Sequence, residues 1–210
     1  MARISALVVF LALALAETPR TAHAEAFSPE LVTGVRLGFS ANQLLGGESA
    51  GPDFRARLGP TGGVFLGARF NRLEINGEAL VSSRGAEFEN GRVSGSVALY
   101  YLEFPVTGGF VFPFGDGSLE ARAYGGFSLA YRLAGSLRDT ANTDRDLMAA
   151  TRDVDFGVLG GLGLSWGKSA NAFLFDLRFY LGLRDVAENA VMAGGGGKNG
   201  SVGFLVGYRL

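Results

Sequence analysis

The groups in this chain that could do chemistry are carboxylates and arginines, because the sequence has no cysteine and a single histidine, His23. Disulfides, Cys-ligated zinc, iron–sulfur centres and thiol nucleophiles are thereby excluded. His23 lies in a segment read below as removed on export, so the usual general base at neutral pH is missing from the mature chain. Glu74 and Glu78 stand two steps apart on one strand face and could in principle share acid–base work, but carboxylates so placed also suit arginine partners. Asp144, Asp146, Asp153 and Asp155 invite a calcium reading. Arg145 and Arg152 interrupt them, and the spaced oxygen ligands of a dedicated calcium loop are not there. None of Gly63, Gly67, Gly157, Gly161, Gly163, Gly182, Gly203 and Gly207 is followed by Lys-Ser/Thr, so these glycines carry no signal of a phosphate-binding loop. The expectation is a protein without enzyme activity, cofactor or metal.

The elements that must position these charges alternate with period two. Strands are expected near 31–40, 61–71, 72–83, 95–112, 119–132, 154–166, 172–184 and 201–210. Their connections sort by length. Asn71-Arg72, Pro113 to Ser118 and Gly167 to Asn171 are short, whereas 41–60, 84–94, 133–153 and 185–200 are long and polar. Short and long connections alternating along eight strands is the layout of an antiparallel up-and-down transmembrane β-barrel, with tight periplasmic turns and longer extracellular loops. A soluble sandwich has no reason to sort its loops by end. On 172–184 the two faces separate cleanly: Phe173, Phe175, Leu177, Phe179, Leu181 and Leu183 share one, and Asp176, Arg178, Tyr180, Gly182 and Arg184 the other. Such a split fits a soluble barrel with the apolar face inward, holding a lipophilic ligand, or a membrane barrel with that face toward lipid.

Aromatic placement favours lipid. Phe70, Phe112, Trp166, Phe173 and Tyr208 fall at the periplasmic ends of apolar faces, and Phe39, Tyr100 and Tyr131 at the opposite ends, as two girdles would. The inward positions then collect Arg36, Arg69, Arg122, Arg132, Arg178, Arg184 and Arg209 against Glu74, Glu78, Glu103, Glu120, Asp155 and Asp176. Eight strands leave an interior just wide enough for side chains. Buried unpaired charge is costly and arginine can bridge two carboxylates, so these groups are expected to pair and plug the lumen. A narrow channel for small or apolar solutes is the alternative. Inward glycines, among them Gly63, Gly67, Gly161, Gly163, Gly203 and Gly207, would make room for the long side chains.

Residues 1–24 read as a signal peptide: Arg3 is followed by an apolar run from Ile4 to Ala16, and Ala22-His23-Ala24 offers a small-x-small cleavage site. That run is shorter than the roughly 20 residues of a membrane helix. Residues 25–210 then form one barrel domain. A formal net charge of −1 gives no reason to expect nucleic acid.

Two stretches carry a family resemblance. Val202, Phe204, Val206, Tyr208 and Leu210 alternate to the final residue and resemble the C-terminal strand of bacterial outer-membrane barrels, with Leu210 where Phe is usual. Tyr100-Tyr101-Leu102-Glu103-Phe104-Pro105 resembles the Tyr-Leu-Glu-Ile-Pro stretch of the PorT-like group within the OmpA/OmpX-like eight-stranded barrel domains. The resemblance implies an exported monomer in the bacterial outer membrane, inserted through its last strand by the barrel insertion machinery. Its partners would be outer-membrane lipid and an unidentified ligand of the extracellular loops, for which residues 41–60, 133–153 and 194–197 are the candidates. Pro105 cannot donate to a ladder and is expected to mark a bulge.

Overall fold

The structure is a computed structural model that describes residues 29–45, 53–90, 93–139, 144–146, 153–168, 170–185 and 198–210. The expected signal peptide, most of the 185–200 loop with its 194–197 glycines, and the side chains of Leu44, Phe54, Asp144 and Asp146 lie outside the described residues.

Among the described residues nine strands follow one another: β1 (Glu30–Leu45), β2 (Asp53–Phe70), β3 (Leu73–Asn90), β4 (Val93–Phe114), β5 (Leu119–Asp139), β6 (Asp144–Asp146), β7 (Val154–Gly167), β8 (Ala172–Asp185) and β9 (Lys198–Arg209). All but β6 form the wall. Each pairs antiparallel with its neighbour in sequence, β5 pairs with β7, and the ring closes where β1 meets β9 with Val35 opposite Tyr208. Closure leaves no strand edge in the wall, as backbone groups in hydrocarbon require. The short β6 lies in the third long loop and pairs with the outer part of β5, Ser136 facing Asp146.

The three short turns fall at one end. Asn71 and Asn171 take left-handed backbone there (φ 57° and 74°), which asparagine tolerates better than a branched residue. In the turn after β4, Asp116 Oδ1 accepts hydrogen bonds from the Ser118 hydroxyl (2.6 Å) and backbone N–H (3.1 Å). Those bonds, more than the nearby Lys168 ammonium, hold its carboxyl below the ordinary range.

At the other end the strands outrun the expected boundaries. Residues 53–60 and 84–90 belong to β2 and β3, and 133–139 to β5. Above the apolar band neither face of the sheet has to be greasy, so the ladder continues where alternation fades. Ala56 and Thr61 bracket a bulge between β2 and β3, and Tyr100 and Tyr101 another between β4 and β5.

Pro105 corrects an expectation. The β3–β4 ladder skips from Gly77 opposite Val106 to Leu80 opposite Glu103 with its register unchanged. The missing N–H removes rungs without inserting a residue, so the proline interrupts the ladder and makes no bulge.

Side-chain orientation separates the two barrel types. Phe173 (53% exposed) and Leu183 (45%) point outward, while Asp176 (1%) and Arg178 (9%) are buried within the wall. The soluble arrangement would be the inverse. On β1 alone the outward apolar series runs from Leu31 to Phe39, which spans about 20 Å along the axis at usual strand rise and tilt.

Candidate functional site

The lumen gathers the charged residues from every wall strand, because each presents alternate positions to the axis. From the short-turn end, Glu120 meets Arg69 (2.8 Å), Arg69 meets Glu74 (2.7 Å) and Glu74 meets Arg122 (2.7 Å). Arg122 continues to Asp176 (2.7 Å), which has Arg36 at 3.6 Å; Arg36 meets Glu78 (2.8 Å), and Glu78 is gripped at both oxygens by Arg178 (2.9 and 2.8 Å). Arg209 lies 3.5 Å from Glu120 and 3.8 Å from Glu74. These groups form one continuous chain across the barrel, with no charge in it left without an opposite partner.

A second group sits farther from the short turns. Arg84 bridges Glu103 (2.7 Å) and Asp155 (3.2 Å), and its guanidinium lies over the rings of Tyr180 (3.8 Å to the centroid) and Tyr101 (5.4 Å). Asn199 and the Tyr180 hydroxyl donate to the same Asp155 oxygen, and the Ser82 hydroxyl donates to Glu103. Arg132, fully buried, reaches the exposed Asp153 at 2.6 Å where the third loop rejoins the wall. Rings also line the lower chain: Arg122 and Arg178 flank Tyr124, and Arg36 lies over Phe65. Such cation–π contacts add about 0.5–1 kcal/mol each at exposed sites and about 2 kcal/mol where water is excluded.

Of the expected lumen residues, Arg36, Arg69, Glu74, Glu78, Glu103, Arg122, Arg132, Asp155, Asp176, Arg178 and Arg209 are buried, and Glu120 is half-buried at the end of the chain. Arg184 is the correction. It is exposed, beyond the charged groups, next to the place where the β8–β9 register shifts between Leu181 and Asp185. Arg84 on β3, which the sequence reading did not place in the lumen, is buried there. Ending β3 at residue 83 concealed that residue, although Glu74, Asn76, Glu78, Ser82 and Arg84 keep one parity.

The inward glycines do the spatial work expected of several of them. A methyl group at Gly163 would stand 2.5 Å from Asp176 Oδ1, and one at Gly161 2.5 Å from the Tyr124 hydroxyl. Gly203 is different, with only ordinary contact around it.

The rim aromatics fall on the outer face. Phe39, Tyr100, Phe112, Tyr131, Trp166 and Phe173 are exposed, and Phe70 and Tyr208 are half-buried. Trp166 lies opposite Phe173, which meets Tyr208 edge-on at 5.3 Å; at the other rim Phe39 tilts against Phe204 at 6.3 Å.

Residues 27–188 match the family model described as outer membrane protein beta-barrel domain. Among solved structures the chain is similar to Neisserial surface protein A, at 13% identity over 85% of this chain and 97% of that one (TM-score 0.47). It is also similar to Ail, the attachment invasion locus protein of Yersinia pestis, at 16% identity over 86% and 99% (TM-score 0.43). A third is the N-terminal β-barrel domain of Pseudomonas aeruginosa OprF, at 14% identity over 87% and 100% (TM-score 0.39). No curated protein matches the chain.

Proposed function

The chain belongs to the outer membrane protein β-barrel domain family, and from that premise we propose that it is a non-enzymatic, integral protein of the bacterial outer membrane whose lumen is sealed. Its work is then structural or is done by its extracellular loops. The observation that carries the sealed lumen is the unbroken run of ion pairs from Glu120 to Arg178. An ion entering would have to displace arginines that each already hold a carboxylate in a space with little water, where such pairs are hard to break singly. The outward apolar band, bounded by aromatics at both rims, supports lipid as the surrounding medium.

The alternating residues Val202 to Leu210 support insertion as a monomer through the last strand by the barrel insertion machinery, after export directed by residues 1–24. The Tyr100–Pro105 stretch supports kinship with the PorT-like group; that kinship bears on the fold and carries no secretion role with it.

Planar-bilayer recording on the refolded chain tests the proposal. Bilayers with verified insertion and no unitary current are the expected result. Stable single-channel currents would overturn the sealed lumen and favour a narrow outer-membrane channel.

A further inference from the structure

Between the two charged groups the lumen is not filled by side chains. A cavity of about 40 Å³ lies there, bordered by Arg178 on one side, by Arg84 and Glu103 on the other, and by Thr61, Ser201 and Pro105 around it. Space of that size accommodates about three waters, since one needs about 10–15 Å³.

Two independent features ask for an occupant. The hydroxyls of Thr61 and Ser201 line the cavity and make no hydrogen bond within the described residues. The wall beside it is also incomplete: Glu78 and Ala79 do not pair with Pro105 and Phe104, because Pro105 has no N–H to offer, and Pro105 itself faces the cavity. Inside a bilayer, backbone groups must be satisfied by the protein or by water that it holds. Of the remaining lining, Leu80, Leu159 and Leu205 offer no such partner, and the hydroxyls of Ser40, Ser82 and Tyr180 already donate to Asn42, Glu103 and Asp155.

We propose that this cavity is a hydration site, binding a cluster of about three waters that serve the Thr61 and Ser201 hydroxyls and the interrupted β3–β4 rungs. The cluster joins the Arg178 end of the lower chain to the Arg84–Glu103 pair, so that the two ion-paired groups become one hydrogen-bonded core. A charged ligand is disfavoured because both arginines at the cavity already hold carboxylates. The inference does not depend on the absence of conductance: a sealed barrel and a leaky one could each hold these waters.

Water-edited solid-state NMR on the full chain in lipid vesicles tests it, reading magnetisation transfer from water to Thr61 and Ser201 against transfer to Val32, which is buried on the same inner face away from the cavity. Faster transfer to Thr61 and Ser201 is expected. In a Thr61→Val, Ser201→Val variant, transfer to Leu205 should fall by about threefold as the site loses two of its polar partners. Should that variant fail to show the heat-modifiable gel mobility of a folded barrel, Ser201→Ala alone should lower the same transfer. Thr61 and Ser201 as dry as Val32, or transfer to Leu205 unchanged in a folded variant, would overturn the hydration site.

Discussion

Arg122→Leu distinguishes a lumen held by charge neutralisation from one merely filled with side chains. Arg122 touches Glu74 and Asp176, both at 2.7 Å, and Asp176 is 1% exposed. The two carboxylates would be left in unequal circumstances. Glu74 keeps Arg69 at 2.7 Å and Asn76 at 2.8 Å, whereas the nearest remaining partner of Asp176 is Arg36 at 3.6 Å. At an effective dielectric of about 20, a pair 2.7 Å apart attracts by about 6 kcal/mol before desolvation is counted. Removing one partner of a buried pair costs about 3–5 kcal/mol net, because the other charge stays buried. We expect that loss for Arg122→Leu. Asp176→Asn leaves Arg122 on Glu74 and Arg36 on Glu78, so it should cost only about 1–2 kcal/mol. The double variant strands no carboxylate and should fall short of the summed losses by about 1–3 kcal/mol. Reversible denaturant unfolding in lipid vesicles, followed by heat-modifiable gel mobility, measures all three. A loss below about 1 kcal/mol for Arg122→Leu, the size typical of exposed pairs, would refute the reasoning. Additivity within about 0.5 kcal/mol in the double variant would do the same.

Two further outcomes follow from the same geometry. Arg84→Leu should cost about 3–5 kcal/mol in the same unfolding assay, since Glu103 and Asp155 lose their shared cation, while Arg184→Leu, exposed beyond the charged groups, should stay within about 0.5 kcal/mol; equal losses would reverse the assignment of Arg84 to the core. Gly108→Ala should refold as well as the parent because a methyl group there meets nothing within 4 Å, but Gly126→Ala, whose methyl would overlap the Val106 carbonyl oxygen, should lower the folded yield on refolding into vesicles.

The wall was legible because two faces with opposite chemistry leave a strong period-two signal wherever hydrocarbon and lumen face each other. Phe173 to Leu183 set against Asp176 and Arg178 is the clearest case, and its orientation follows from parity once one face is assigned to lipid. Legibility failed where that contrast fades. In Ser82-Ser83-Arg84-Gly85 small and polar residues occupy both faces, so the alternation gives no reason to extend the strand and hides Arg84, although it keeps the parity of Glu78 and Ser82. Arg184 shows the converse. Its parity is right, but parity does not tell how far along the axis the packed interior reaches. The Pro105 interruption was foreseeable as a missing donor; that the strands would keep register across it was not, since register is set by pairing over the whole length of β3 and β4.

Pair partners across the wall explain why a narrow barrel can hold so many arginines. Arg36 has Gly63 opposite it on β2 and Gly207 opposite it on β9. Arg178 has Gly161 opposite it on β7, where a methyl group would run into the Tyr124 hydroxyl to which Arg178 donates. A guanidinium needs lateral space to reach past its neighbours to a carboxylate, and on a closed sheet that space must come from the adjacent strands at the same level. Glycine supplies it by removing the side chain, at a cost in strand propensity of about 0.5–1 kcal/mol each. The buried ion pair it permits is worth more than that only if the pair is complete, because a lone buried charge is worse than an apolar filling. Arginine, its glycine neighbours and the carboxylate beyond them are therefore one structural unit. Losing any member should act on the other two, and the high glycine content of this chain is as much a property of its charged lumen as of its turns.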